Sequence, residues 1–355
     1  MKHSSVSILS LVFALCLGGQ LFAQNEAVAR EYWPTDDWKS RSPEQLGFDT
    51  TKLQAIDSFV RQALAATSSI LVVRHGYVAY ETYYVGDRYS PRRLISATKS
   101  VISILTGILV KTNQIQDIGD PMLSYLPELR SGNLADNVDK ITIRNLLTMS
   151  SGLPDDGGLG EMSPKSLLSK PLASVPGQTF AYNGTNPNLL SMIITKLTNQ
   201  TAAAFAEKEL FKPLGIKSYR WNETLGFSNG ALGLSLTTRD LAKIGYLYLN
   251  KGTWDTTEIV SENWVSESTS IQAKPVDQVT WKRYGSSNYG FLWWISPFKG
   301  AYFALGHDGQ SITVMPDQDM VVVITTEVPY FEGGGETADQ YWPIITDYII
   351  PALRQ

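Results

Sequence analysis

The chain has 355 residues, a net charge of −4, and 43% hydrophobic against 18% charged residues. That is the balance of a folded globular protein of one large or two ordinary domains. The acidic balance and the absence of any Lys/Arg-rich run argue against a nucleic-acid partner, which would need a basic face.

In chain order, residues 1–23 read as a secretory signal peptide. Lys2 supplies the positive start, Val6 to Leu17 the apolar core, and Leu21-Phe22-Ala23 a cleavage site. The apolar run is too short for a stable membrane span. The only cysteine, Cys16, lies inside this segment, and Leu15 is bulky where a lipoprotein site wants a small residue. Export would leave no disulfide and no thiol chemistry, with the periplasm or the cell exterior as the expected address. Residues 24–43 show no clear period and read as an N-terminal arm on the surface. Residues 44–355 are expected to form one domain.

Asp49 to Leu64 has helical spacing in Leu53, Ile56, Phe59, Val60 and Leu64. Ser69 to Arg74 and Tyr77 to Tyr84 are β-rich runs joined at His75-Gly76, a hairpin signal. From Ser96 to about Trp221 the pattern is helices and long loops, broken at Asp120-Pro121 and Ser150 to Pro154. Thr238 to Asn250 is again helical. Tyr302 to Leu305, Ser311 to Met315 and Met320 to Thr325 are strand-like, and Trp342 to Leu353 looks like a closing helix. Strands at both ends with helices between do not make a βαβ repeat. The expected class is α+β: an antiparallel sheet from 44–95 and 285–355, flanked by the N- and C-terminal helices, with a mostly helical region 96–284 inserted.

Chemistry concentrates at Ser96-Ala97-Thr98-Lys99, ahead of the apolar helix pattern of Val101, Ile102, Ile104, Leu105, Ile108 and Leu109. If Ser96 opens that helix, Lys99 lies one turn on and its amine can reach the hydroxyl. A free serine is a weak nucleophile and needs a base. Lysine can be that base once burial or a cationic neighbour lowers its pKa. The bland alternative is a helix N-cap serine followed by a solvated lysine. A second match, Ser296-Pro297-Phe298-Lys299, reads as a turn because of Pro297 and Gly300. A loop containing Tyr182-Asn183-Gly184 runs into a helix from Asn188 to Leu197, with Asn186 as N-cap and Pro187 as first helical residue. His307-Asp308-Gly309 stands at the entry to the Ser311 strand, with Gly309 suited to close approach of a ligand. No metal site is expected: His3 leaves with the signal, His75 and His307 are far apart, and no His-Glu-x-x-His occurs. Phosphate-loop and dinucleotide glycine patterns are also missing, so no cofactor is expected, and neither is there a Gly-x-Ser-x-Gly elbow. Trp221, Trp281, Trp293 and Trp294 read as core or, alternatively, as an aromatic groove.

With these three motifs in order, the chain resembles the serine β-lactamase and penicillin-binding-protein superfamily. It is most like the class C-like branch of esterases, D-amino-acid peptidases and 6-aminohexanoate-dimer hydrolase. The flanks Ile141 to Leu153 and Leu236 to Lys243 share the resemblance. It implies Ser96 as nucleophile, Lys99 and Tyr182 as proton relay, and the backbone N–H groups of Ser96 and Gln310 as oxyanion hole. His307, Asp308 and Gly309 would face substrate. Gly184 stands where those lactamases and peptidases carry a side-chain amide, and His307 and Asp308 where they carry lysine and threonine. These departures favour a small ester or linear amide, cleaved by a carboxylesterase- or amidase-type serine hydrolase. The alternatives are a D-amino-acid peptidase or weak β-lactamase, a catalytically silent ligand sensor on the same scaffold, or an envelope binding protein. Period two along the strand would turn Asp308 away from His307.

Overall fold

The computed structural model describes residues 29–131, 133–157, 162–274, 288–296, 298, 300–327 and 338–354. The expected signal peptide with Cys16, Trp281, and Pro297 and Lys299 of the second Ser-x-x-Lys match lie outside them.

Helix α1 (Thr50–Ala63) opens on Asp49, whose carboxylate accepts from Lys52 N–H. It buries Leu53, Ile56 and Val60, the stripe read from the sequence. Strands β1 (Thr67–Arg74) and β2 (Tyr77–Tyr83) form the expected hairpin. His75 and Gly76 both take positive φ, 52° and 82°, the backbone of a tight hairpin turn matched to strand twist. Helix α2 (Thr98–Lys111) follows, then α3 (Thr185–Thr198) and α4 (Thr238–Leu249). Strands β3 (Asn288–Tyr289), β4 (Trp294–Ile295), β5 (Tyr302–Leu305), β6 (Ser311–Met315) and β7 (Met320–Thr326) complete the sheet. The chain closes on α5 (Ala338–Pro343), continued by wider turns over Ile344–Ile349 and a last turn at Ile350–Ala352.

The two ends of the chain meet in one seven-stranded antiparallel sheet, in the order β3-β4-β5-β6-β7-β1-β2. Strand β1 pairs with β7 through Ile70 with Ile324, Leu71 with Val323 and Val72 with Val322. Ile70, Val72, Val322 and Ile324 pack with Leu53, Ile56 and Ile345 from the terminal helices. Leu71, Val73, Val321 and Val323 face the other way, toward α2 and α4. Burial on both faces explains why these strands read as continuous apolar runs rather than alternating ones. The fold is α+β, as the pattern implied.

Helix α2 is buried almost all round, from Thr98 to Leu109. Two of its polar residues are tied to neighbouring segments: Ser100 Oγ donates to Leu292 O at 2.7 Å and Thr98 Oγ1 accepts from Leu234 N at 3.2 Å. A helix buried on every side is a rigid platform for what its first turn carries.

The arm is not simply a surface strap. Trp38 is buried, and its indole N–H donates to Arg239 O at 2.9 Å. Arg30 pairs with Asp319 through both terminal nitrogens at 2.7 Å. Trp33 packs on Tyr246 and Trp254. Helical or strand period cannot register such packing, because an irregular segment buries single side chains without one. Among the described residues, no helix is long and apolar enough to cross a membrane.

Candidate active site

Ser96 lies in a tight turn, Ile95–Ala97, just before α2 rather than in its first turn. The α-helix begins at Thr98 and receives no side-chain cap. Ile95 takes φ +48°, an unfavourable region for a β-branched residue that costs about 1–3 kcal/mol. Such strain leaves no mark in residue type or spacing. It aims Ser96 away from the core, so that Ser96 is half-buried while Ile95, Ala97 and Lys99 are buried.

Lys99 Nζ donates to Ser96 Oγ at 2.9 Å and to Ala231 O at 2.8 Å. The expected serine–lysine contact is therefore present. Lys99 is 3% exposed. Burial pulls its pKa down to about 7, against the pull of Asp155 and Asp156, which raise it. Desolvation wins because, among the described residues, no carboxylate pairs directly with the amine. Nζ also stands 5.0 Å from the centre of the Tyr182 ring.

The segment Met149–Gly157 holds the Tyr182 loop. Ala181 N–H donates to Met149 O at 2.7 Å. Thr185 Oγ1 donates to Pro154 O, and Gly184 N–H donates to Asp155 Oδ1, both at 2.8 Å. Asn183 Oδ1 accepts from Asn186 N–H at 3.0 Å. Acceptors from Asn183 and Asp155 let α3 start at Thr185, earlier than the expected Asn186 cap. Pro187 still falls in the first turn, where its missing N–H costs nothing. Asp155 follows the Ser150–Pro154 breaker and carries no signal of its own in the sequence. The Tyr182 ring stacks on Trp294 at 5.7 Å. Trp221, Trp293 and Trp294 are buried, so they form core and backing rather than an open groove.

The third motif sits against the Ser96 turn. A Cβ at Gly306 would overlap the Leu94 carbonyl oxygen, two residues before Ser96. Only glycine lets the two segments approach this closely. Gly306 N–H donates to Gln310 O at 2.7 Å, and the Gln310 carboxamide is anchored on Thr326 at 2.6, 2.7 and 3.2 Å. The Gln310 backbone is thus held at both sides. His307–Gly309 form a tight turn, with Asp308 at φ +60°. This turn overturns the expectation that Asp308 points away: its Oδ1 lies 3.1 Å from His307 Nε2. Strand period fails here because the residues precede β6 and are not extended. The space beside Gly309 is filled by the Tyr341 ring, so its close approach serves the closing helix instead of a ligand along the strand.

The model of the family described as Beta-lactamase matches residues 55–343. The chain belongs to the beta-lactamase family. N-acetylmuramyl-L-alanine amidase of Bacillus subtilis (strain 168) is 21% identical over 98% of this chain and 98% of its own length. The 6-aminohexanoate-dimer hydrolase of Paenarthrobacter ureafaciens is 23% identical, over 84% of this chain and 83% of its own length. In structure, the octameric penicillin-binding protein homologue from Pyrococcus abyssi superposes with a TM-score of 0.68 at 19% identity, covering 85% of this chain and 78% of its own. This last likeness establishes the fold. Family and relatives together mark this beta-lactamase family member as a hydrolase. Among the described residues, no three His, Cys, Asp or Glu side chains gather as a metal site.

Lys99 has a consequence for stability. Its folded pKa of about 7 lies below the ordinary lysine value of 10.5. Between those values the unfolded chain carries a proton that the folded chain lacks, so stability rises with pH. Urea midpoints should increase from pH 7 to pH 9, and Lys99→Met should flatten that rise. The buried Lys243, also shifted down by desolvation, leaves a smaller slope in the variant. An unchanged slope in Lys99→Met would show that the folded lysine stays charged.

Proposed function

We propose that the chain is an exported serine hydrolase that cleaves an ester or a linear amide through an acyl-enzyme on Ser96. The observation that carries this reading is the buried Lys99 amine, 2.9 Å from the Ser96 hydroxyl and with a pKa drawn down to about 7. A neutral amine at that distance is a general base in place.

Ser96 Oγ attacks the carbonyl carbon, and its proton passes to the Lys99–Tyr182 relay. The backbone N–H groups of Ser96 and Gln310 hold the oxyanion; such donors are typically worth about 3–4 kcal/mol each at the transition state. Collapse breaks the ester or amide bond, and Tyr182 returns the proton to the leaving alcohol or amine. Water then attacks the acyl-enzyme, the relay takes its proton, and the carboxylic acid leaves with Ser96 restored. Pre-steady-state mixing with a nitrophenyl acetate tests this reading. One equivalent of nitrophenol per chain should appear in a burst before the steady rate. A linear trace, with turnover retained in Ser96→Ala, would refute an acyl-enzyme on this serine.

His307 and its contact with Asp308 set the charge preference. Where the related lactamases and peptidases carry a lysine, this chain has His307, with the Asp308 carboxylate 3.1 Å from its ring. A substrate carboxylate gains little from this pair, so neutral esters, or amides bearing an amine, should be preferred. His307→Lys should raise the kcat/KM ratio of a carboxylated ester to its neutral analogue by roughly two- to fivefold, the scale of an exposed ion pair. If the unmodified enzyme already prefers the carboxylated ester at pH 8, the D-amino-acid peptidase reading takes its place.

Export rests on Lys2, the Val6–Leu17 core and Leu21-Phe22-Ala23. The secreted protein should have the intact mass of a chain starting at Gln24. A mass retaining Cys16 with added acyl chains would instead mark a lipoprotein.

A further inference from the structure

A carbonyl oxygen can only accept a hydrogen bond, whereas a hydroxyl can donate or accept. The contact of Lys99 Nζ with Ala231 O, at 2.8 Å, is therefore an N–H bond in both protonation states of the amine. The contact with Ser96 Oγ, at 2.9 Å, can run in either direction. A neutral amine has two N–H groups and one lone pair. Once one N–H is committed to Ala231 O, rotation about the Cε–Nζ bond is used up. One of the two remaining tetrahedral positions then faces Ser96, and in the neutral amine it can hold the lone pair. The direction of the Ala231 carbonyl thus decides whether Lys99 can take the serine proton.

That direction is set by Asn229. The Ala231 C=O and the Leu232 N–H belong to one planar peptide group and point opposite ways. Asn229 Oδ1 accepts from Leu232 N–H and from Ala231 N–H, both at 3.0 Å. Holding the N–H side of the plane turns its carbonyl side toward the lysine. Asn229 is itself buried and held: its N–H donates to Asn222 O and its carbonyl accepts from Trp221 Nε1, both at 2.7 Å. Next along the chain, Gly230 N–H donates to Asn188 Oδ1 at 2.9 Å. A Cβ at Gly230 would come within 2.4 Å of the Pro187 carbonyl oxygen, so only glycine lets the turn lie this close to α3. Burying a carboxamide is costly unless its bonds are made. What it adds here over an apolar residue of the same size is an acceptor for the two N–H groups.

We propose that Asn229 is a positioning residue for the general base: through the Ala231–Leu232 peptide it aims the Lys99 lone pair at the Ser96 hydroxyl. The proposal rests on the serine-hydrolase reading of Ser96. Asn229 acts one peptide group away from the amine, so its loss should be felt in rate rather than in affinity. The aim of a lone pair matters only as the proton moves.

The test follows the nitrophenol burst from 4-nitrophenyl acetate, against substrate concentration and pH, in wild type, Asn229→Ala and Asn229→Asp. Asn229→Ala removes the acceptor. Its burst rate constant should fall by about 10- to 100-fold, the scale of a misaligned catalytic group. The substrate concentration giving half the maximal burst rate should stay within about threefold, since ground-state binding is untouched. Asn229→Asp keeps an oxygen for both N–H groups, so at about pH 9 its burst should run about fivefold or more faster than that of Asn229→Ala. Its added negative charge favours the protonated amine, so the acid limb of its burst rate should move up by about one pH unit. A loss below about fivefold in Asn229→Ala, or one carried by the half-saturating concentration, overturns the proposal. So does an Asn229→Asp burst no faster than that of Asn229→Ala. Should Asn229→Ala not fold, Asn229→Asp decides alone: a burst within about tenfold of wild type at about pH 9 on a raised acid limb supports the role, and a greater loss or an unmoved limb overturns it. No burst in wild type, with turnover persisting in Ser96→Ala, would sink the serine reading instead.

Discussion

Ser96→Ala should lose at least a thousandfold in kcat, the scale of removing a nucleophile that acts as one unit with its base, while the fold stands. The structure sharpens the second half of that expectation. As a helix cap, Ser96 would contribute about 1 kcal/mol. It is not one: the α-helix starts at Thr98, and no side chain caps it. The hydroxyl accepts from Lys99 Nζ, and Lys99 keeps Ala231 O as a second acceptor. The variant's melting temperature should therefore stay within about 0.5 °C of wild type, less than the roughly 1.3 °C that 1 kcal/mol moves a chain of this size. Ester turnover of purified protein and a thermal melt check both halves. Retention of more than about 1% of wild-type turnover would show another nucleophile at work.

Lys99→Met and Tyr182→Phe should each lower kcat by about 100- to 10,000-fold, the usual range for a positioned acid or base. KM should change little, because both groups act on protons in the transition state. Tyr182→Phe keeps the ring that stacks on Trp294, so it isolates the hydroxyl. Lys99→Met keeps a side chain of similar length in a buried site. The double variant should be far less than additively worse, since one relay can be broken only once. In the wild type, kcat/KM should rise with pH through about 7 as Lys99 loses its proton. Full additivity, or a pH profile flat from 6 to 8, would show that Lys99 is not the base.

Much of this was legible before the structure. The Ser96–Lys99 spacing, the apolar pattern of α2 and the strand-like runs at both ends are local features, and the structure has a serine–lysine contact, a helix and sheet strands there. The unread parts share a different physics. Trp38 is buried by an irregular arm, which leaves no period to detect. Ile95 stores its strain in φ, which a sequence does not display. The Asp308 contact with His307 depends on a turn where strand alternation no longer applies. Asp155 matters because Gly184, 29 residues away, folds onto it. Lys99 could be named from spacing, but its depressed pKa comes from tertiary burial alone.

The central claim, a serine made nucleophilic by a buried neutral lysine, is tested most directly by a fluorophosphonate probe followed by peptide mass mapping. One adduct per chain is expected, on the peptide containing Ser96. It should be absent in Ser96→Ala, and in Lys99→Met it should form at least a hundredfold more slowly. An adduct on another residue, labelling at equal rates with and without the lysine, or no adduct on the folded wild-type chain would contradict it.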